Sequence, residues 1–182
     1  MVTISRDTPC LYITAVCKDR LSVFSKDEMK AHACAALDEA RRSGKFLIFA
    51  YVMMLDHLHI ITDGEKKPST ILRFIKGIIS HRIIEYLKAH EFESSLEKLR
   101  HQERERQYKY SLWEQESNVL LLTSEAFFMQ KVNYIHLNPV RAGLVESATD
   151  YHWSSARFWA KCPDEGEPLK VDIEKIIWRK PK

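Results

Sequence analysis

The chain has 182 residues, 45% of them hydrophobic and 29% charged, which excludes a disordered polymer and suits one self-folding domain over 1–182, with 160–182 expected as a C-terminal tail. A net charge of +3 permits a nucleic-acid partner without requiring one. No apolar run nears the roughly 20 residues of a membrane helix, and the N-terminal MVTISRDTPC lacks a signal peptide's apolar stretch, so the expectation is a cytoplasmic protein with no membrane partner.

Leu11 to Val16, β-branched and aromatic, predicts a first strand that ends at Lys18, Asp19 and Arg20. Ser25 and Glu28 have capping-box spacing, and Met29, Ala33, Ala36, Leu37 and Ala40 recur at helical period until Gly44 stops them. Phe46–Met54 and His57–Thr62 then predict two strands separated by Leu55 and Asp56, short enough for an antiparallel hairpin. After Pro68, the segment from Ser69 to about Lys88 is helical in pattern, with Ile71, Ile75, Ile78, Ile79 and Ile83 on the buried side. The charged stretch from Glu91 to Lys109, where Arg100, Arg104, Arg106 and Lys109 alternate with Glu103 and Glu105, predicts a solvated helix extension or loop. Val119–Leu122 predicts a last strand, and a helix from Thr123 or Ser124 is expected to end at Asn138 because Pro139 follows. This order predicts an α+β domain with helices packed on an antiparallel sheet.

Four cysteines, Cys10, Cys17, Cys34 and Cys162, lack any C-x-x-C spacing and read as reduced, mostly buried thiols. His57 and His59 are two apart on a strand, so both imidazoles point to one face and can reach one metal ion. Taken alone, the pair is more often two half-exposed strand histidines than a ligand pair. Tyr134 and Asn138, four apart on the last helix, share a face with about 40° between them, while His136 turns to the opposite side. A nucleophile and a ligand would thus share a site, although a packed tyrosine and an asparagine cap describe the same residues. A phenol of pKa about 10 is a poor nucleophile at neutral pH unless a divalent ion assists it. Arg73, Lys76 and Arg82, with Trp113 and Tyr110, are candidates for phosphate contacts and base stacking, or equally a solvated charged face. Lys131, one turn before Tyr134, fits either a phosphate contact or a snorkelling side chain. Tyr12, Tyr51, Tyr86, Tyr108, Tyr110 and Tyr151 lack a partner at the right spacing and read as structural or surface residues.

His57-Leu58-His59 after a hydrophobic strand, followed by Tyr134-Ile135-His136-Leu137-Asn138-Pro139-Val140-Arg141-Ala142-Gly143-Leu144, resembles the single-tyrosine HUH transposases of the TnpA type, above all the REP-associated tyrosine transposases. Phe74 to Gly77, Leu112-Trp113-Glu114-Gln115 and Trp153-Ser154-Ser155-Ala156 extend the likeness, which covers most of residues 8 to 159. Leu55 departs from it, since relatives usually carry proline there. The resemblance implies a ferredoxin-like antiparallel sheet with the histidine strand central and the Tyr134 helix lying across it. It further implies Asn138 as third ligand beside His57 and His59, Mg²⁺ or Mn²⁺ as the ion, and single-stranded or hairpin DNA as the partner. Its products would be a 5′-phosphotyrosine linkage at Tyr134 and a free 3′-hydroxyl. Relatives include monomers and homodimers. A domesticated, non-cleaving DNA-binding module and a phosphodiesterase that activates water are the competing readings, though binding alone requires none of His57, His59, Tyr134 and Asn138.

Overall fold

The computed structural model describes residues 1–100 and 109–179. Its elements are β1 (Val2–Thr3), β2 (Cys10–Val16), α1 (Asp27–Gly44), β3 (Ile48–Met53), β4 (His57–Thr62), α2 (Pro68–Ala89), α3 (Glu93–Leu99), β5 (Asn118–Leu122), α4 (Glu125–Arg141), α5 (Ala156–Trp159) and β6 (Ile176–Ile177). Four strands form an antiparallel sheet in the order β3-β4-β2-β5, the ferredoxin-like arrangement with the histidine strand β4 inside it.

Strand alternation sorts the two cores. Leu11, Ile13 and Ala15 of β2, with Leu58 and Ile60 of β4, meet α1 and α2 through Leu37, Ile75, Ile79 and Ile83. Tyr12 and Ile61 point to the other face, where Phe128, Val132 and Ile135 of α4 cover them. An irregularity between Ile48 and Ala50 shifts the register of β3 by one residue. Phe49, Ala50 and Val52 therefore join the α4 side while Ile48, Tyr51 and Met53 join the other, and all six residues of β3 are buried.

Several expected details differ. The Ser25–Glu28 capping box does not form: Lys26 is the N-cap of α1, without a side-chain cap bond. Asp27 instead accepts from Lys30 Nζ at 2.9 Å and from Trp153 Nε1 at 2.9 Å, so a long-range partner takes over the helix start. Gly44 is the last residue of α1, and the left-handed residue is Lys45 with φ 51°. Glycine is needed at 44 for space, since a Cβ would lie 2.8 Å from the Phe46 ring. α4 continues through Pro139 to Arg141. Proline removes one helical N–H, while Ala142, Gly143 and Leu144 donate to the carbonyls of Asn138, Val140 and Pro139 and close the last turn, with Gly143 at φ +68°. Of the charged stretch from Glu91 to Lys109, residues 93–99 form α3 with Leu96 and Leu99 buried, and 101–108 lie outside the described residues.

Of the described residues after 160, Leu169, Val171 and Ile176 are buried against this body. The Asp172 carboxylate accepts from Ile48 N–H at 2.9 Å and Arg41 Nη1 at 3.1 Å, and β6 pairs in parallel with β1. Cys10, Cys17 and Cys34 are buried free thiols, whereas Cys162 is exposed. No described helix is long and apolar enough to cross a membrane.

Candidate active site

β4 places His57 at its first position and His59 two residues on, facing α4, with ring centroids 4.7 Å apart and planes at 74°. The strands around them fix how each ring is held. In the β2–β4 register Thr14 stands opposite His59, and Tyr12 lies two positions along on the same face. The His59 Nδ1 lies 2.8 Å from Thr14 Oγ1 and 2.9 Å from Tyr12 Oη. Hydroxyls serve either tautomer, and with the proton on Nδ1 the ring donates to one of them, leaving the Nε2 lone pair open. Burial, aided by the charges of His57 and Lys131, pushes the His59 pKa down to about 3, so the ring is neutral at physiological pH.

His57 is held from the turn. Its Nδ1 is 2.5 Å from Asp56 Oδ1, and Arg20 Nη1 reaches Asp56 Oδ2 at 3.2 Å. Burial alone would raise the Asp56 pKa, but the hydrogen bonds and charges of His57 and Arg20 hold it below the ordinary value. A carboxylate accepting from Nδ1–H directs the other ring nitrogen outward as a ligand. The turn that delivers Asp56 is closed by Met54 N–H donating to His57 C=O at 2.8 Å and docked by Phe24 and Cys17 N–H on the carbonyls of Leu55 and Asp56. Leu55 occupies the second position of this turn, where proline is also at home, which explains why the departure there leaves the histidines in place.

α4 begins at Ser124, whose side chain accepts from Phe127 N–H, and buries Phe128, Val132, Ile135, His136 and Pro139. That packing leaves Tyr134 39% exposed, its ring 5.6 Å from His59 and 6.3 Å from Tyr12. Asn138 lies one turn further on, inside the continuous helix and not at a cap. His136 turns away as its spacing requires: its Nε2 is 2.9 Å from Ser155 Oγ, and burial lowers its pKa to about 4. Ser155 in turn bonds the Tyr51 backbone, so this histidine ties α4 to β3. Lys131 Nζ sits over the rings of Tyr12, Phe127 and Tyr134 at 5.0, 5.8 and 5.3 Å.

Arg73, Lys76 and Arg82 belong to α2, on the opposite layer of the sheet from Tyr134. Lys76 Nζ donates to the carbonyls of Glu114 and Gln115 at 2.6 and 3.1 Å, and burial lowers its pKa. Arg82 makes two 2.8 Å bonds to Glu39, and Arg73 lies over the Phe74 ring. Trp113 is buried against Phe24 and donates to Lys76 C=O, while Tyr110 is half-buried between Lys88 and Lys109. Tyr12 and Thr14 are the site residues that spacing missed; their signal is the face they share with His59, visible only once the strands are paired.

Two imidazoles, each oriented through Nδ1, fit a divalent ion, and the acidic, cysteine and histidine side chains of the described residues supply no cluster of three that would hold one alone. An amide oxygen such as that of Asn138 is the kind of donor left to complete the set.

A ferredoxin-like sheet presenting paired histidines to a tyrosine-bearing helix defines the class as an HUH-type α+β protein. The model of the IS200-like transposase family matches residues 10–136, and the chain belongs to that family, whose members cleave and transfer DNA strands. Among solved structures, a REP-associated tyrosine transposase bound to a REP hairpin is similar over 91% of this chain and 87% of its own, at 19% identity and a TM-score of 0.59. A provisionally assigned transposase from Deinococcus radiodurans R1 is similar over 70% of this chain and 88% of its own, at 16% identity and a TM-score of 0.47. No curated protein matches the chain.

Proposed function

We propose that this transposase cleaves and rejoins single-stranded DNA with Tyr134 as nucleophile, at hairpin-forming, REP-like sequences, using a divalent ion held by His57, His59 and Asn138. The observation that carries this reading is the Tyr134 ring 5.6 Å from His59, itself 4.7 Å from His57, all on one face of the sheet. Mg²⁺ or Mn²⁺ on these ligands would supply a Lewis acid for the scissile phosphate. Asp56 and the Thr14 and Tyr12 hydroxyls hold the two imidazoles in a fixed orientation, and burial keeps His59 unprotonated and able to ligate. α4 holds the phenol beside them on a residue that remains exposed.

In the cleavage step the Tyr134 oxygen gives up its proton and bonds to phosphorus as the bond to the 3′ oxygen breaks. That oxygen leaves as a 3′-hydroxyl after taking a proton. Because the 5′-phosphotyrosine linkage is still a phosphodiester, a 3′-hydroxyl can attack it and restore a DNA strand without ATP. The hairpin-bound state of the structurally similar transposase supports a hairpin with a single-stranded flank as substrate.

Covalent trapping tests the proposal. The protein, Mn²⁺ or Mg²⁺ and a pool of single-stranded hairpins from its own genome are mixed, denatured and run on a gel. A nuclease-sensitive shifted band is expected with the wild type and is lost in Tyr134→Phe, which keeps the ring and removes the attacking oxygen. Binding without any adduct would point to a domesticated module, cleavage persisting in the Phe variant to a water-using hydrolase, and an adduct on another tyrosine would displace Tyr134.

A further inference from the structure

Two cations lie against the Tyr134 ring from the same helix. Lys131 Nζ is 5.3 Å from its centroid and Arg141 Cζ is 5.2 Å away. Lys131, Tyr134, Asn138 and Arg141 follow the spacing i, i+3, i+7, i+10, so at about 100° per residue they form one stripe within roughly 80° of arc. Several other arginines are committed to acids: Arg20 to Asp56, Arg41 to Asp38 and Asp172, Arg82 to Glu39, and Arg157 to Glu167. Among the described residues no carboxylate pairs with Lys131 or Arg141. Their positive charge converges on the one exposed tyrosine beside the histidines, where an anion must arrive.

We propose that Lys131 and Arg141 form a clamp for the phosphodiester at Tyr134, binding its non-bridging oxygens before cleavage and in the phosphotyrosine linkage. This rests on Tyr134 being the nucleophile and adds residues that hold the phosphate on the helix side. The division of labour follows from the fold. The histidines stand on β4, whereas the two cations share α4 with the nucleophile, so helical geometry keeps them beside the phosphate once it is covalently attached. Lys131 carries a compact charge on a stem held among three rings, and Arg141 presents a planar donor fork at the exposed end of the helix. A cation in the last turn also suits the helix dipole, which by itself would not require contact with Tyr134.

The test needs neither cleavage nor DNA. Phosphotyrosine incorporated at position 134 mimics the linked phosphate, and its second ionisation is followed by ³¹P NMR in EDTA. That ionisation, near pH 6 for an isolated phosphate ester, should fall by about 0.5 or more between two fixed cations. Lys131→Gln and Arg141→Gln should each return it part-way, while Lys131→Arg and Arg141→Lys should keep it low. A midpoint insensitive to either Gln substitution overturns the two-sided clamp. Covalent trapping reports separately on Tyr134 as nucleophile, so failure of the clamp is distinct from failure of the proposed reaction.

Discussion

Asp56→Asn isolates the carboxylate that orients His57. It keeps the size of the side chain and leaves the backbone carbonyl that accepts from Cys17 N–H untouched, removing only the charge facing Nδ1. Loss of such an orienting partner typically lowers metal affinity about 10- to 100-fold, or roughly 1.4–2.7 kcal/mol. Stability should change little by comparison. The accompanying contact is an ion pair to Arg20, whose side chain is 70% exposed, and such pairs contribute about 0–1 kcal/mol. For a chain of this size that is a fall in Tm of about 4 °C at most. Calorimetric titration with Mn²⁺, beside a thermal melt in EDTA, separates the two effects. Unchanged Mn²⁺ affinity in a folded Asp56→Asn protein would refute the argument that Asp56 prepares His57 as a ligand.

Asn138→Ala should weaken Mn²⁺ binding with little loss of stability, because the residue is helical and only half-buried; equal affinity in the same titration would remove it from the ligand set. His136, pushed down to about 4 by burial against an ordinary 6.5, binds its proton later than the unfolded chain does. Its contribution is therefore complete above pH 6.5 and lost as pH falls from 6.5 towards 4, about 2 kcal/mol of it by pH 5. Urea unfolding of the metal-free protein at pH 7.5 and 5 should show a smaller acid loss in His136→Gln, and equal losses would contradict the assignment. If the hairpin stem crosses α2, Arg73→Gln should reduce the salt slope of DNA binding by about one. Arg82→Gln should change it less because Glu39 already holds that guanidinium, and the reverse order would show the Glu39 pair opens on binding.

The period of two in β4 put His57 and His59 on one face, and the helical period put Tyr134 and Asn138 on one side with His136 opposite, because both geometries are properties of a few consecutive residues. The quoted motifs carried the family for the same reason, being short strings on two local elements. What local pattern could not supply was pairing across the chain. Thr14 faces His59 only through the β2–β4 register, 45 residues apart, and that register turned Tyr12 from a structural tyrosine into a partner of the His59 imidazole. Lys76 looked like a free cation until folding brought the Glu114 and Gln115 carbonyls to it, and Asp27 became the anchor of α1 once Trp153 arrived. Pro139 marked a helix end by its own chemistry, yet α4 ran on because later N–H groups closed its final turn and its buried face stayed packed. That continuation placed Arg141 beside Tyr134. Sequence determined which face each reactive side chain occupies, since that follows from backbone period alone; tertiary structure decided which faces meet, because strand register and helix docking are set by contacts between distant residues.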